Sequence, residues 1–365
     1  MLKKLSFSII LLSLFSFTSL DSKMKKLFYS YLDLLKVVNG TYENERTHYE
    51  MQKKLLSIES VLKNSRHDKY LDNSAFAPIM YITELSVNDL KGITKQEYFS
   101  LASRRSKLLI QQCNSCHAQL DQLPDDKIDL YQGAFSRYQL TEEQKVQGLY
   151  LLRDYKKISK ILVEKIKDSI VNLDNKTSIK KTLELLELYL VSIDNVEELK
   201  THLNTFLTKS LEGEYRKHLH IWMNDLETVK NKNTTWLLER VLSKEVDEYF
   251  LLPVKRIAVT FFKAKSLLLK ELKKVNTDDQ NSYYLYWLGV IESQNDFLKL
   301  YGTGEYYFRE CIQKYPHTSF AKKCYKGFEN IITQGFTGSS GTHIPVPVKK
   351  EMRELERQIK SKEKV

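Results

Sequence analysis

Cys113-Asn114-Ser115-Cys116-His117 is the stretch of this chain best suited to chemistry. Two thiols three positions apart, followed directly by an imidazole, form the Cys-x-x-Cys-His spacing at which haem is joined covalently to a polypeptide. In that chemistry Cys113 and Cys116 form thioethers to the two vinyl groups, and His117 supplies the proximal axial nitrogen to iron. With 4 Cys and 8 His in 365 residues, chance produces the pattern in roughly one such chain in a thousand. Two other chemistries share part of it. A thiol redox pair needs a strand ahead and a helix behind, and a zinc site needs a second ligand pair. Cys311 and Cys324, thirteen residues apart, do not supply that pair at metal spacing.

The N-terminus points to a compartment. Lys3 and Lys4 precede an apolar run from Leu5 to Phe17, and Thr18, Ser19 and Ser22 follow. This order predicts a secretory signal peptide over residues 1–22. The run is thirteen residues, short of the roughly twenty that span a bilayer, so an uncleaved anchor is the lesser alternative. No cysteine lies near the cleavage region to carry a lipid.

Composition bounds the scaffold that must position these groups. Glycine (12) and proline (6) are scarce while Leu, Lys and Glu abound, which predicts an all-α protein. A length of 365 residues allows two or three domains, each with its own core. The formal charge of +11 falls to +10 without Lys3, Lys4 and Asp21, and it is spread along the chain. That spread suits a solvated basic surface; contact with an acidic partner or an anionic membrane surface is the alternative. Nucleic acid is not expected, since an exported chain without a matching motif gives no reason for it.

Helical periodicity organises residues 24–123 as a haem-binding bundle. Leu27, Tyr31, Leu34 and Val38 recur at helical spacing before Asn39-Gly40 stops the run. Met51, Leu55, Ile58 and Leu62 form a seven-residue seam. Ile79, Ile82, Leu85 and Leu90 follow Pro78, and Thr94-Lys95-Gln96-Glu97 reads as a capping box. The last helix would bury Leu101, Ala102, Leu108, Leu109, Cys113, Cys116 and Leu120 on one face. Its haem would then sit in the core.

The Cys-x-x-Cys-His motif resembles that of c-type cytochromes, and its place on the last of several helices is similar to the cytochrome c prime and b562 type of bundle. The likeness covers about a quarter of the chain. It implies one covalent haem c and export to the periplasm, where such haem is attached. In the common small cytochrome a methionine ligand follows the motif within some dozens of residues; here the next methionine is Met223. The bundle likeness instead implies a distal ligand from an early helix, or none. Met24, Met51 and Met80 are the candidates, with His48 and His67 as alternatives; plain packing is the other reading of Met51. Arg104 and Arg105 would face haem propionates or solvent.

Residues 140–335 read as an α-solenoid of helical hairpins. Thr141-Glu142-Glu143-Gln144 is a capping box, followed by Gly148, Leu149 and Leu152, then Ile158, Ile161, Leu162 and Ile166. Trp287-Leu288-Gly289 with Phe308, Cys311 and Pro316 resembles a tetratricopeptide repeat, with Gly302 and Gly304 marking an insertion. This likeness implies partner binding. Cys311 and Cys324 fall on consecutive helices and would form a disulfide in an oxidising compartment, or pack as small apolar side chains. Residues 336–365 read as a flexible charged tail. Together these features lead to the expectation of a periplasmic monohaem cytochrome that transfers single electrons and is not an enzyme. Its partner would be a periplasmic redox protein, or another protein held by the repeats. A haem-based gas or ligand binder, and a scaffold with structural haem, are the alternatives.

Overall fold

Helix starts in the computed structural model follow side-chain caps. Thr141 Oγ1 accepts from the Gln144 amide at 3.3 Å, and Gln144 Oε1 accepts from the Thr141 amide at 2.6 Å, which closes the expected box. The structure describes residues 25–34 without Leu27, 45–65, isolated positions between 83 and 138, and 140–361 apart from 212, 243–253, 295–302, 339–340 and 345. A helical segment within residues 25–34 comes first. The helices that follow are α1 (Glu45–Ser65), α2 (Glu142–Leu151), α3 (Tyr155–Val171), α4 (Asn175–Glu187), α5 (Val196–Lys209) and α6 (Glu214–Val229). Then come α7 (Thr234–Leu242), α8 (Val254–Leu272), α9 (Asp278–Gln294), α10 (Thr303–Lys314), α11 (Ala321–Gly335) and α12 (Val346–Ser361). A π-helical turn, Leu188–Ile193, continues α4. The fold is all-α: among the described residues the strands are one two-residue pair, Thr337–Gly338 against Gly341–Thr342.

Successive helices reverse through one repeated device. Arg153, Leu173 and Asp194 each adopt left-handed backbone, with φ of 55°, 56° and 57°. The Asp154 amide donates to Leu149 O at 3.1 Å and the Asp174 amide to Ser169 O at 2.9 Å, closing the end of each preceding helix. Asp154 and Asp174 then cap the next helix through the amides of Lys157 and Thr177. Each turn is therefore a helix end and a helix start within three residues. Helices pack largely on near neighbours: α3 on α4 and α5, α6 on α8, α9 on α10 and α11, with α4 also reaching α8.

Phe308 shows how closely the last helices approach. Its ring lies between Gly289 of α9 and Gly327 of α11, where a Cβ would stand 2.5 and 2.6 Å from ring atoms. Gly289→Ala should therefore destabilise the protein by about 1–3 kcal/mol, because the ring has glycine on both sides. An unchanged urea midpoint would mean that Phe308 moves aside. Beside it a disulfide joins Cys311 of α10 to Cys324 of α11. It closes a short loop, a separation of 13 residues. Replacing both cysteines by alanine should cost about 3 kcal/mol, the value for loops of this size. Thermal unfolding with and without reductant checks this: wild type should lose stability on reduction and the variant should not respond.

Two expected boundaries change. The division between a bundle over 24–123 and repeats over 140–335 is crossed by packing, because Phe28, Tyr31 and Leu32 lie in one apolar core with Phe135 and Leu149. Phe28 meets Phe135 edge-on at 6.1 Å, and Tyr31 Oη donates to Gln147 O at 3.5 Å. The other side of the same segment holds α1, through Ser30 Oγ to Ser57 Oγ at 2.8 Å and Lys54 to Asp33 at 2.6 Å. A fragment ending at 123 would expose the first of these faces.

The second change is the tail. Most of residues 336–365, expected as a flexible charged tail, form the strand pair and α12. Met352, Leu355 and Ile359 recur along one face of α12 and are buried as it packs on α10 and α11. Buried Arg309 pairs with Glu351 of α12 and, at 2.6 Å, with Glu305. The abundant charges sit on the outer face of a docked helix, which is why composition alone misleads.

Candidate functional site

Cys113, Cys116 and His117, the residues expected to attach haem, lie outside the described residues, as do Met24, Met80, His67, Arg104 and Arg105. Leu109 and Met51 are among the described residues. Leu109, four residues ahead of Cys113, is helical and buried, as the expected stripe requires. Met51 of α1 is also buried, in a stripe with Leu55, Ile58 and Val61. The predicted seam is Met51, Leu55, Ile58 and Leu62; its first three residues are buried, and the Leu62 side chain lies outside the described residues. Met223 stands on α6 and packs against the helical core.

Polar groups the sequence reading missed lie inside the helical array. Lys265 of α8 reaches Glu292 of α9 at 2.7 Å and Glu187 of α4 at 2.9 Å. The Lys265 and Glu292 side chains are 9% and 4% exposed, so the ammonium and one carboxylate are both out of water. Burial alone would lower the Lys265 pKa, but the two carboxylates more than reverse this and hold it above its ordinary value. Tyr150 is raised too, by burial first and then by Glu184 and Glu187. Such a cluster has no local signature, since its members come from four helices, α2, α4, α8 and α9.

A second internal chain links α3, the π-helical turn and α5. Ser159 Oγ lies 2.8 Å from Tyr189 Oη, which lies 3.1 Å from His202 Nε2. Burial pushes Tyr189 up to about 12 and draws His202 down, so both are neutral near pH 7. Ser159 is buried and bonds to a phenol rather than an imidazole, which gives it no base for nucleophilic attack. The chain orients helices. Elsewhere a cleft of about 520 Å³ opens between α7, α8, α9 and Phe320, walled by Tyr283 and Tyr284.

Among the described residues no group of three or more His, Cys, Asp or Glu is placed to hold a metal ion. Among the same residues no helix is long and apolar enough to cross a membrane. No protein-family model, curated protein or solved structure matches the chain.

Proposed function

We propose that the chain is an exported, periplasmic monohaem c-type cytochrome that transfers single electrons, with its helical hairpins as a docking platform. The observation that carries this reading is Cys113-x-x-Cys116-His117 behind an N-terminal leader pattern. The donor set fits the group: two thiols for the vinyl carbons and one imidazole for iron, with Leu109, four residues ahead of Cys113, helical and buried. Cys113 and Cys116 would hold the macrocycle covalently and His117 would hold the iron from one side. Bound there, the haem supplies one-electron exchange between ferrous and ferric iron, with no proton to be moved. The protein's part is to exclude water and to set the potential through burial and axial ligation.

The position opposite His117 divides electron transfer from ligand binding. Met223, the first methionine after the motif, is packed on α6, and Met51 sits in an apolar seam. With no methionine between His117 and Met223, and with Met51 read as a packing residue, the iron would be open or weakly ligated, which supports the second reading, a haem-based gas or ligand binder. Optical and resonance Raman spectra of the ferrous holoprotein, with and without carbon monoxide, test it. A high-spin spectrum that shifts on carbon monoxide supports ligand binding. A low-spin protein inert to carbon monoxide, with a methionine–iron charge-transfer band when oxidised, supports electron transfer. In that case Met24→Ala, Met51→Ala and Met80→Ala identify the ligand.

A further inference from the structure

The cleft of about 520 Å³ between α7, α8 and α9 takes no part in the haem reading, and its size is within the range of small-ligand sites. Its apolar surface is aromatic, formed by Tyr283, Tyr284 and Phe320. Phe320 meets Tyr283 at 5.1 Å and 85°, and Tyr284 meets Tyr283 at 5.7 Å and 67°. The rings therefore stand as angled walls rather than as a stack. Burial holds both phenols above their ordinary pKa, which keeps their hydroxyls protonated near pH 7.

The polar lining is fixed by helix starts. Asn233 Oδ1 accepts from the Trp236 amide at 2.9 Å as α7 begins, and Gln280 Oε1 accepts from the Thr277 amide at 2.9 Å as α9 begins. Each bond engages the side-chain oxygen and leaves the NH2 on the opposite side of the amide. Glu271 and Asp279 bring carboxylates, which only accept. Donors and acceptors thus lie beside aromatic faces. Charge around the cleft is close to balanced: Lys274 holds Glu271 at 2.7 Å, His317 lies 2.9 Å from Asp278, and Lys323 stands 4.6 Å from the Phe320 ring centre. An anion would meet the two carboxylates, and an ammonium group has no lone pair to offer the amide NH2 groups. A hydroxyl serves both, since it donates to a carboxylate and accepts from an amide.

We propose that this cleft binds a neutral β-linked oligosaccharide, with sugar C–H faces on Tyr283, Tyr284 and Phe320 and hydroxyls between the two amides and the two carboxylates. Pyranoses with equatorial hydroxyls present flat C–H faces to aromatic rings and a rim of hydroxyls to polar groups, the same division of surface that the cleft offers. The site is independent of haem chemistry. The test is isothermal titration of the purified full chain with chitotriose and with cellotriose, beside spermidine as a cation and trialanine as a peptide. One of the two trisaccharides should bind saturably, with a dissociation constant below about 1 mM. Tyr284→Ala and Asp279→Ala should each weaken that binding at least tenfold. Asp279 is exposed, so its variant should unfold at the wild-type temperature and keep the comparison valid if Tyr284→Ala is destabilised. Retention of wild type on chitin or cellulose beads would identify a polymer strand as the source, and binding of the trisaccharide alone a free oligosaccharide. No saturable binding of either trisaccharide, full binding by both variants, or tighter binding of spermidine or trialanine overturns the proposal.

Discussion

Replacing Cys113 and Cys116 together by alanine is expected to abolish covalent haem completely. In the proposed cytochrome each thiol would account for one thioether, so a chain lacking both would have no bond that survives denaturation. A denaturing gel stained for haem peroxidase activity should show a band for wild type and none for the double variant, at equal protein load. Either single variant keeps one thioether and should give a weaker band. His117→Ala keeps both thiols and loses the axial nitrogen, so its optical spectrum should change even where some haem stays attached. A band of undiminished strength from the double variant would remove the basis of the cytochrome reading, whatever the fold does.

The second large effect concerns Lys265. Its ammonium holds the buried Glu292 carboxylate at 2.7 Å, and Lys265→Met leaves that carboxylate out of water without its cation. Removing one partner of a buried pair typically costs about 3–5 kcal/mol. Glu187 is less affected because its side chain, 32% exposed, can turn to water. The double variant Lys265→Met/Glu292→Leu replaces both charges with apolar groups and should recover most of the loss. Urea unfolding of wild type, both single variants and the double variant gives the coupling directly. The pH dependence has a definite sign. A folded pKa above the ordinary lysine value means the contribution is fully present below about 10.5 and fades only as pH rises through the folded value. Measurements near pH 7 therefore register all of it. A loss below about 1 kcal/mol in Lys265→Met would show that the cluster is hydrated.

Much of the local structure was legible in the chain. Thr141 and Gln144 are three residues apart, and their reciprocal bonds need nothing from elsewhere. The seam of Met51, Leu55 and Ile58 follows from the 3.6-residue period, and all three are buried. The left-handed turn positions were less readable. Glycine would have announced them, whereas Arg153, Leu173 and Asp194 stand there instead. A count of charge without its phase hides the helix Val346–Ser361. Met352, Leu355 and Ile359 occupy one helical stripe, and the charges occupy the rest.

What the sequence by itself determined is whatever neighbouring residues decide: helix content, the capping box at Thr141, and the spacing of Cys113, Cys116 and His117. Tertiary structure alone decided which surfaces meet. Tyr31 finds Gln147 across 116 positions, Lys265 finds Glu187 across 78, and Arg309 finds Glu351 across 42. No periodicity encodes those distances. A side chain's local pattern says that a face must be buried, but the choice of partner depends on the fit of whole helices brought together by the folded chain.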